Sequence, residues 1–122
     1  MLSKQKLIEK EIDKKLLATY SFWRCYTKFA TLAKHKDREA CEISVSVSVS
    51  GDKEWPIFMD DQSIVLKPGD AVVYLGCEIE HKREEYLGDH QFQAFLHYVN
   101  KNCNFKDEYM YKRNFYKIIK CR

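Results

Sequence analysis

The chain has 122 residues, of which 45% are hydrophobic and 32% charged, and its formal net charge is +3. This length predicts a single domain over residues 1–122 with one modest core, and it excludes a large multidomain assembly. No run approaches the ~18 apolar residues that cross a bilayer, and charged residues interrupt the N-terminal segment, so we expect a cytoplasmic protein without a membrane partner. Five cysteines, an odd number without a closely spaced pair, predict neither a disulfide framework nor a zinc knuckle.

The chain begins with a helical pattern that gives way to an alternating one. Apolar residues at helical spacing over residues 3–18 predict an amphipathic helix against the outside of a sheet; they are Leu7, Ile8, Ile12 and Leu16. From Tyr20 to Thr27 the period changes to two. This part of the chain therefore predicts a strand.

The clearest strand pattern runs from Ile43 to Ser50, where Ile and Val alternate with Ser before Gly51. Such alternation gives a strand one apolar face and one small hydroxylated face. In one interpretation the serines line an internal cavity and the valines pack on a second sheet or on the helix. In the other, the serines face solvent, and the pattern favours neither.

Short apolar runs separated by turn residues continue to residue 99. They predict an edge strand at residues 54–58, because Pro56 cannot donate a hydrogen bond inside a sheet, and further strands at residues 64–66, 71–75, 78–83 and 91–99. Seven or eight short strands over residues 20–99 are typical of a mainly β, double-stranded β-helix. The predicted fold is thus a cupin-like jelly roll with an N-terminal helix.

Residues 100–122 form a basic, aromatic C-terminal extension, in which residues 104–120 fit a helix and a strand equally well. Lys and Arg side chains interleave there with Tyr and Phe, and such a mixture can follow a phosphate backbone and stack bases. A terminal element that packs its aromatic residues on the barrel also explains the pattern. We favour the packing interpretation, which leaves nucleic acid as the less expected partner.

The sequence His35-Lys36-Asp37, followed far along the chain by His81, is the pattern that points to a chemical function. His35 and Asp37 are two residues apart and can project to one side of an extended segment. Two imidazoles and one carboxylate can occupy one face of an octahedral Fe(II) and leave positions open for a co-substrate and dioxygen. The three residues are therefore candidate metal ligands.

The flanking sequence makes the pattern more specific. Tyr26 lies nine residues before His35, and Pro68-Gly69-Asp70 leads into the strand before His81. Over residues 20–99 the chain resembles the 2-oxoglutarate and Fe(II)-dependent dioxygenases, in particular the small phage and bacterial members of the prolyl-4-hydroxylase-like branch. The resemblance implies Fe(II) at His35, Asp37 and His81, with 2-oxoglutarate as a small-molecule co-substrate. It also implies hydroxylation of a substrate C–H bond, with succinate and CO₂ as co-products; a peptidyl or prolyl substrate follows only from the family.

The chain departs from this family at two positions. Gln91 stands where the resembled hydroxylases have the lysine or arginine that binds the distal carboxylate of 2-oxoglutarate. We expect Arg83, two residues after His81 and so on the same strand face, to bind that carboxylate. Gln91 could add a neutral hydrogen bond, and Tyr26 would orient the co-substrate. Phe29 occupies a turn where related loops commonly have glycine.

Two alternatives from other classes stay open. A non-catalytic jelly-roll binding module, with nucleic acid held by the basic extension, would explain the missing lysine. A cupin metalloenzyme that does not use 2-oxoglutarate would be supported if Arg83 pointed outward.

Overall fold

The computed structural model describes residues 2–13, 15–38, 42–100 and 116–120. One helix, α1 (Leu2–Ile12), precedes nine strands in this part of the chain. The strands are β1 (Leu16–Thr27), β2 (Leu32–His35), β3 (Ile43–Gly51), β4 (Ile57–Met59), β5 (Gln62–Ile64), β6 (Asp70–Leu75), β7 (His81–Arg83), β8 (His90–Asn100) and β9 (Tyr116–Lys120).

The strands form two antiparallel sheets that pack face to face. The larger sheet has the order β1-β8-β3-β6-β9 and the smaller one the order β2-β7-β4-β5. Ile57 and Met59 of the smaller sheet pack with Val72 and Tyr74 of the larger one in a buried cluster. The predicted mainly β jelly roll with an N-terminal helix is confirmed.

Helix α1 covers the outer face of the larger sheet, and it is shorter than predicted. Ile8 and Ile12 pack with buried residues of that face in a second cluster. The helix ends at Ile12 because Asp13 takes a left-handed conformation, with φ of 54°. Leu16, predicted as a helical residue, instead begins β1 opposite Asn100, and its amide donates to the Glu9 carboxylate at 2.8 Å.

Strand β3 is buried on both faces, which decides between the two interpretations of its serines. Ser44, Ser46 and Ser48 point into the space between the sheets and are buried. Val45 and its apolar neighbours along the strand pack beneath α1. The serines therefore line the interior, and the interpretation that places them in solvent is wrong.

Strands β6 and β8 each begin and end within one residue of their predicted bounds, β7 covers only the second half of the strand predicted at residues 78–83, and no strand is predicted at β2. The edge strand predicted at residues 54–58 is β4, which begins after Pro56 and lies between β7 and β5. The sheet edge is instead β5, which replaces the strand predicted at residues 64–66. Pro56 is compatible with an internal strand because it precedes the paired residues.

The C-terminal extension is described only at β9. This strand pairs with β6, and Ile119 is buried in the cluster beneath α1, which agrees with the packing interpretation for this part. Residues 101–115, which carry much of the basic and aromatic pattern, lie outside the described residues. Among the residues that the structure describes, no helix is long and apolar enough to cross a membrane.

Candidate metal centre

Three short segments of the smaller sheet bring the predicted ligands together. His35 ends β2 and lies opposite His81, the first residue of β7. Asp37 follows β2 by two residues, and its amide donates to the Gly76 carbonyl at 2.7 Å. His81 and most of the Asp37 side chain are buried, whereas His35 is partly exposed. The site therefore lies at the edge of the interior, with one accessible side.

The two imidazoles face a single carboxylate oxygen. Oδ1 of Asp37 lies 3.3 Å from Nε2 of His35 and 3.2 Å from Nε2 of His81. Nδ1 of His35 lies 2.7 Å from the Ala33 carbonyl, and Nδ1 of His81 lies 2.9 Å from the Ile79 carbonyl. Because a carbonyl only accepts, both Nδ1 atoms donate to the backbone, which leaves Nε2 of each ring facing Asp37. A bound cation would take the place of any proton on these two nitrogens.

This arrangement fits a divalent cation. The three ligand atoms lie within 4.8 Å of one another. Metal–ligand bonds of about 2.1 Å at right angles would separate adjacent ligand atoms by about 3 Å, close to the two observed separations. Burial alone would raise the pKa of Asp37, but hydrogen bonding and charge from His81, with help from Ser44 and His35, hold it below its usual value. Asp37 thus remains an anionic ligand.

A second hydrogen bond fixes the other oxygen of Asp37. Ser44 donates to Oδ2 at 2.8 Å, and its hydroxyl oxygen lies 3.1 Å from Nδ1 of His97. Since the single hydroxyl proton goes to Asp37, Nδ1 of His97 must donate to Ser44. Burial lowers the pKa of His97, which favours this neutral form. The chain of three residues turns Oδ1 towards the two histidines.

A cavity of about 250 Å³ opens beside the ligands. Its walls come from the inward faces of β1, β6 and β8, together with the segment of Lys36 and Arg38. Tyr26, predicted from its spacing to His35, lines this cavity. Its ring meets Trp55 edge-on, with centroids 4.8 Å apart.

Arg83 points inward, as the alternation predicts, and is only 4% exposed. Its Nη1 donates to the Trp55 carbonyl at 2.7 Å, and its guanidinium carbon lies 4.7 Å from the centre of the Trp55 ring. Burial lowers its pKa to about 10, an effect that Tyr26 and Tyr74 partly offset. Nη2 is buried without a hydrogen-bond partner among the described residues. A cation with an unused buried donor is suited to an anionic ligand.

Gln91 lies elsewhere. It is buried and lines a second cavity of about 200 Å³ with Ser48 and Gly51, and it does not line the cavity beside the ligands.

The sequence did not predict that Ser44 and His97 would form a hydrogen-bonded chain with Asp37. Strand parity predicts only that both residues share the inward faces of β3 and β8; their contact with each other depends on the register of these strands.

Comparisons with known proteins agree on the fold. No family model matches the sequence, and no match was found among curated proteins. The structure is similar to an oxidoreductase of the 2OG-Fe(II) oxygenase family from Burkholderia pseudomallei, with a TM-score of 0.63 and 13% identity over 79% of this chain. YhaK from Escherichia coli gives a TM-score of 0.64 at 7% identity over 88% of this chain. The Cupin_2 domain of an XRE family transcriptional regulator from Enterobacter cloacae gives 0.51 at 19% identity over 70%.

These likenesses define a cupin, or jelly-roll, fold. The match covers 96% of the Cupin_2 domain, but only 52% of the oxygenase and 44% of YhaK. The chain therefore spans about half the length of the first two proteins. One fold hosts many activities, so function must be argued from the site.

Proposed function

We propose that this protein is an Fe(II)- and 2-oxoglutarate-dependent dioxygenase that hydroxylates a substrate C–H bond. The observation that carries the proposal is the pair of histidine Nε2 atoms at 3.2 and 3.3 Å from one oxygen of Asp37. Two histidines and one carboxylate are the ligand set of non-haem Fe(II) oxygenases. The structurally similar Burkholderia oxidoreductase is named as a member of the 2OG-Fe(II) oxygenase family, which supports the same class of reaction.

His35, Asp37 and His81 would hold the iron. With 2-oxoglutarate and O₂ bound, the iron would supply an oxidation in which one oxygen atom of O₂ becomes the hydroxyl of the substrate and the other enters succinate, while 2-oxoglutarate loses CO₂. Ser44 and His97 hold the carboxylate in position, and the backbone carbonyls hold the imidazoles. Such outer contacts fix ligand orientation and basicity.

Arg83 is the proposed partner of the distal carboxylate of 2-oxoglutarate. Its side chain is buried, it lies close to the cavity residues Tyr26 and Tyr74, and its Nη2 has no hydrogen-bond partner in the described part of the chain. A buried guanidinium can bind a carboxylate through two parallel hydrogen bonds. Tyr26, which lines the cavity and contacts the Trp55 ring, would orient the co-substrate.

The inward position of Arg83 also bears on the alternatives. A cupin metalloenzyme without 2-oxoglutarate gains support only from an outward Arg83. A binding module without catalysis offers no reason for two imidazole Nε2 atoms within 3.3 Å of one oxygen of Asp37. A prolyl or peptidyl substrate is expected from the resemblance alone, and no contact among the described cavity residues argues for it.

Replacement of Arg83 tests the co-substrate assignment. In Arg83→Gln, 2-oxoglutarate should bind at least 30-fold more weakly, because breaking a buried charge pair costs about 2–5 kcal/mol, while Fe(II) affinity stays nearly unchanged. Arg83→Lys should recover only part of the affinity, since a point charge replaces a planar fork. Equilibrium dialysis with labelled 2-oxoglutarate and Fe(II), in the absence of O₂, measures both effects.

Lys82→Gln is the matched control, because Lys82 belongs to the same strand, lies on its opposite face and has a side chain that is 41% exposed. It should bind 2-oxoglutarate like the wild type. Unchanged affinity in Arg83→Gln would place the carboxylate elsewhere and leave this assignment wrong.

A further inference from the structure

One wall of the cavity consists of aromatic rings from the inward faces of β1 and β8. We call this set, Tyr20, Phe22, Phe95 and His97, the aromatic wall. Phe22 stacks on Phe95 with centroids 4.8 Å apart and planes inclined by 23°, and on Tyr20 at 6.0 Å and 13°. Tyr20 meets His97 at 4.6 Å. The four rings therefore form one continuous row of aromatic contacts next to the candidate metal ligands.

Positive charge surrounds this wall. Arg24, Lys36 and Arg38 line the same cavity, and among its described lining residues Asp37 is the one carboxylate. The guanidinium carbon of Arg24 lies 5.4 Å from the centre of the Phe22 ring, and that of Arg38 lies 5.6 Å from the centre of the Tyr20 ring. Arg38 also donates to the Tyr20 hydroxyl at 3.0 Å. Since a divalent metal would more than neutralise Asp37, a ligand here meets a cationic, aromatic surface.

We propose that the substrate of this site is a nucleotide unit, whose base stacks on the aromatic wall and whose phosphate binds Arg24 and Arg38. The assignment of a substrate rests on the proposed dioxygenase function, and a C–H bond of the bound nucleotide would be the one hydroxylated. Base stacking on aromatic side chains tolerates any base. Guanidinium groups match phosphate oxygens in a planar, paired geometry.

Ring contacts favour a nucleotide over an acidic peptide. Both would meet the three cations, but a row of stacked rings is suited to the addition of another planar group, as in proteins that stack bases on aromatic side chains. Phe22 keeps 37% of its surface exposed and lines the cavity, so part of its ring is accessible to a bound base.

The test measures binding of AMP by calorimetry and of a labelled short oligodeoxyadenylate by fluorescence anisotropy, without iron or 2-oxoglutarate. Phe22→Leu and Arg24→Gln should each weaken binding of the preferred probe about ten-fold or more. Trp23→Leu is the matched control: Trp23 is adjacent in sequence, 69% exposed and absent from the cavity lining. Its affinity should equal that of the wild type.

The two probes separate the sources of the nucleotide. Equal affinity for AMP and the oligonucleotide would identify a free nucleotide as the substrate. Much tighter oligonucleotide binding, with a steep salt dependence, would identify a single strand. Either result supports the proposal when Phe22→Leu and Arg24→Gln weaken it.

Three results would overturn the proposal: no binding of either probe, binding that neither substitution weakens, or displacement of the probes by an acidic peptide at lower concentration. Fe(II) and 2-oxoglutarate binding are measured on the same samples. A protein that binds both cofactors but no nucleotide contradicts this inference alone. One that binds nucleotide but neither cofactor contradicts the proposed function alone.

Discussion

Phe29 stands in a backbone conformation that side chains other than glycine rarely adopt. Its φ is 70°, and it lies in the turn between β1 and β2 that leads to His35. The Phe29 amide donates to the Tyr86 carbonyl at 2.7 Å, and the Tyr86 amide donates to the Ala30 carbonyl at 2.9 Å. These bonds hold the turn in place although the left-handed region costs a residue with a Cβ about 1–2 kcal/mol. The positive φ is the physical reason why the resemblance led us to expect glycine in this turn.

The strain at Phe29 predicts an unusual effect of glycine. The free energy of unfolding of Phe29→Gly should exceed that of Phe29→Ala by roughly 1 kcal/mol. Both substitutions remove the exposed ring, but only glycine relieves the strained φ. Chemical denaturation of the two variants measures the difference. Equal stability, or a more stable alanine variant, would mean that this turn relaxes to negative φ.

Residue-level prediction from the sequence succeeds where strand parity fixes direction. The inward orientation of Arg83 follows from its position two residues after His81, and the structure confirms it. The partnership of Ser44 with His97 could not be predicted, because it depends on the register that places these two residues opposite each other on β3 and β8. Register between distant strands is set by packing and is invisible in a local pattern.

At the scale of elements, β3 connects the core beneath α1 with the site. Its apolar face is buried beneath α1 at Ile43 and Val45, and its serine face forms hydrogen bonds with Asp37, His97 and Gln93. Small hydroxylated residues let two neighbouring strands place larger groups into the interior. The strand therefore supports the fold with one face and the metal ligands with the other.

The two ends of the valine face should respond differently to the same substitution. Val45 is 1% exposed and Val49 is 52% exposed. Val45→Asp should lower the free energy of unfolding by several kcal/mol, because it buries a charge without a partner, whereas Val49→Asp should change it little. Urea unfolding measures both, and a tolerated Val45→Asp would contradict the burial of this face.

Element boundaries were less predictable than element types. Leu16 continues the helical spacing of Ile12, yet it belongs to β1 because the long strand β8 offers it a partner in Asn100. Pro56 led us to predict an edge strand, but a proline prevents hydrogen bonding only at its own amide. Strand β4 begins at the next residue, Ile57, and can therefore lie inside the sheet. In both cases a tertiary contact overrode a local rule.

At the scale of the whole molecule, one polar cluster ties together the two loops at one end of the barrel. Asp52, after β3, accepts hydrogen bonds from the Tyr86 hydroxyl and from the amides of Asp89 and His90. A side chain at Gly88 would collide with the Asp52 carboxylate and the Tyr86 ring, so glycine is needed there. The hydrogen bond from Tyr86, with those from the backbone, lowers the pKa of Asp52 below its usual value.

This cluster predicts an acid-sensitive component of stability. Because the folded-state pKa of Asp52 is depressed, its contribution is present above about pH 4, the unfolded value, and is lost as pH falls towards the folded value. Asp52→Asn should lower the melting temperature at pH 7 and flatten its decline between about pH 4 and 2. Asp61→Asn, at an exposed position outside the cluster, is the control. An acid decline in Asp52→Asn as steep as in wild type would contradict this role.

The most direct test of the account is an anaerobic titration of the protein with Fe(II) and 2-oxoglutarate, followed through the weak visible charge-transfer band of the iron chelate. The wild type and His90→Ala, which removes a histidine outside the cavity lining, should both develop the band at one equivalent of iron. His81→Ala should lose the band and most Fe(II) affinity while keeping its circular dichroism spectrum. Stoichiometric iron retained by His81→Ala, or no band in iron-loaded wild type, would contradict the proposed centre.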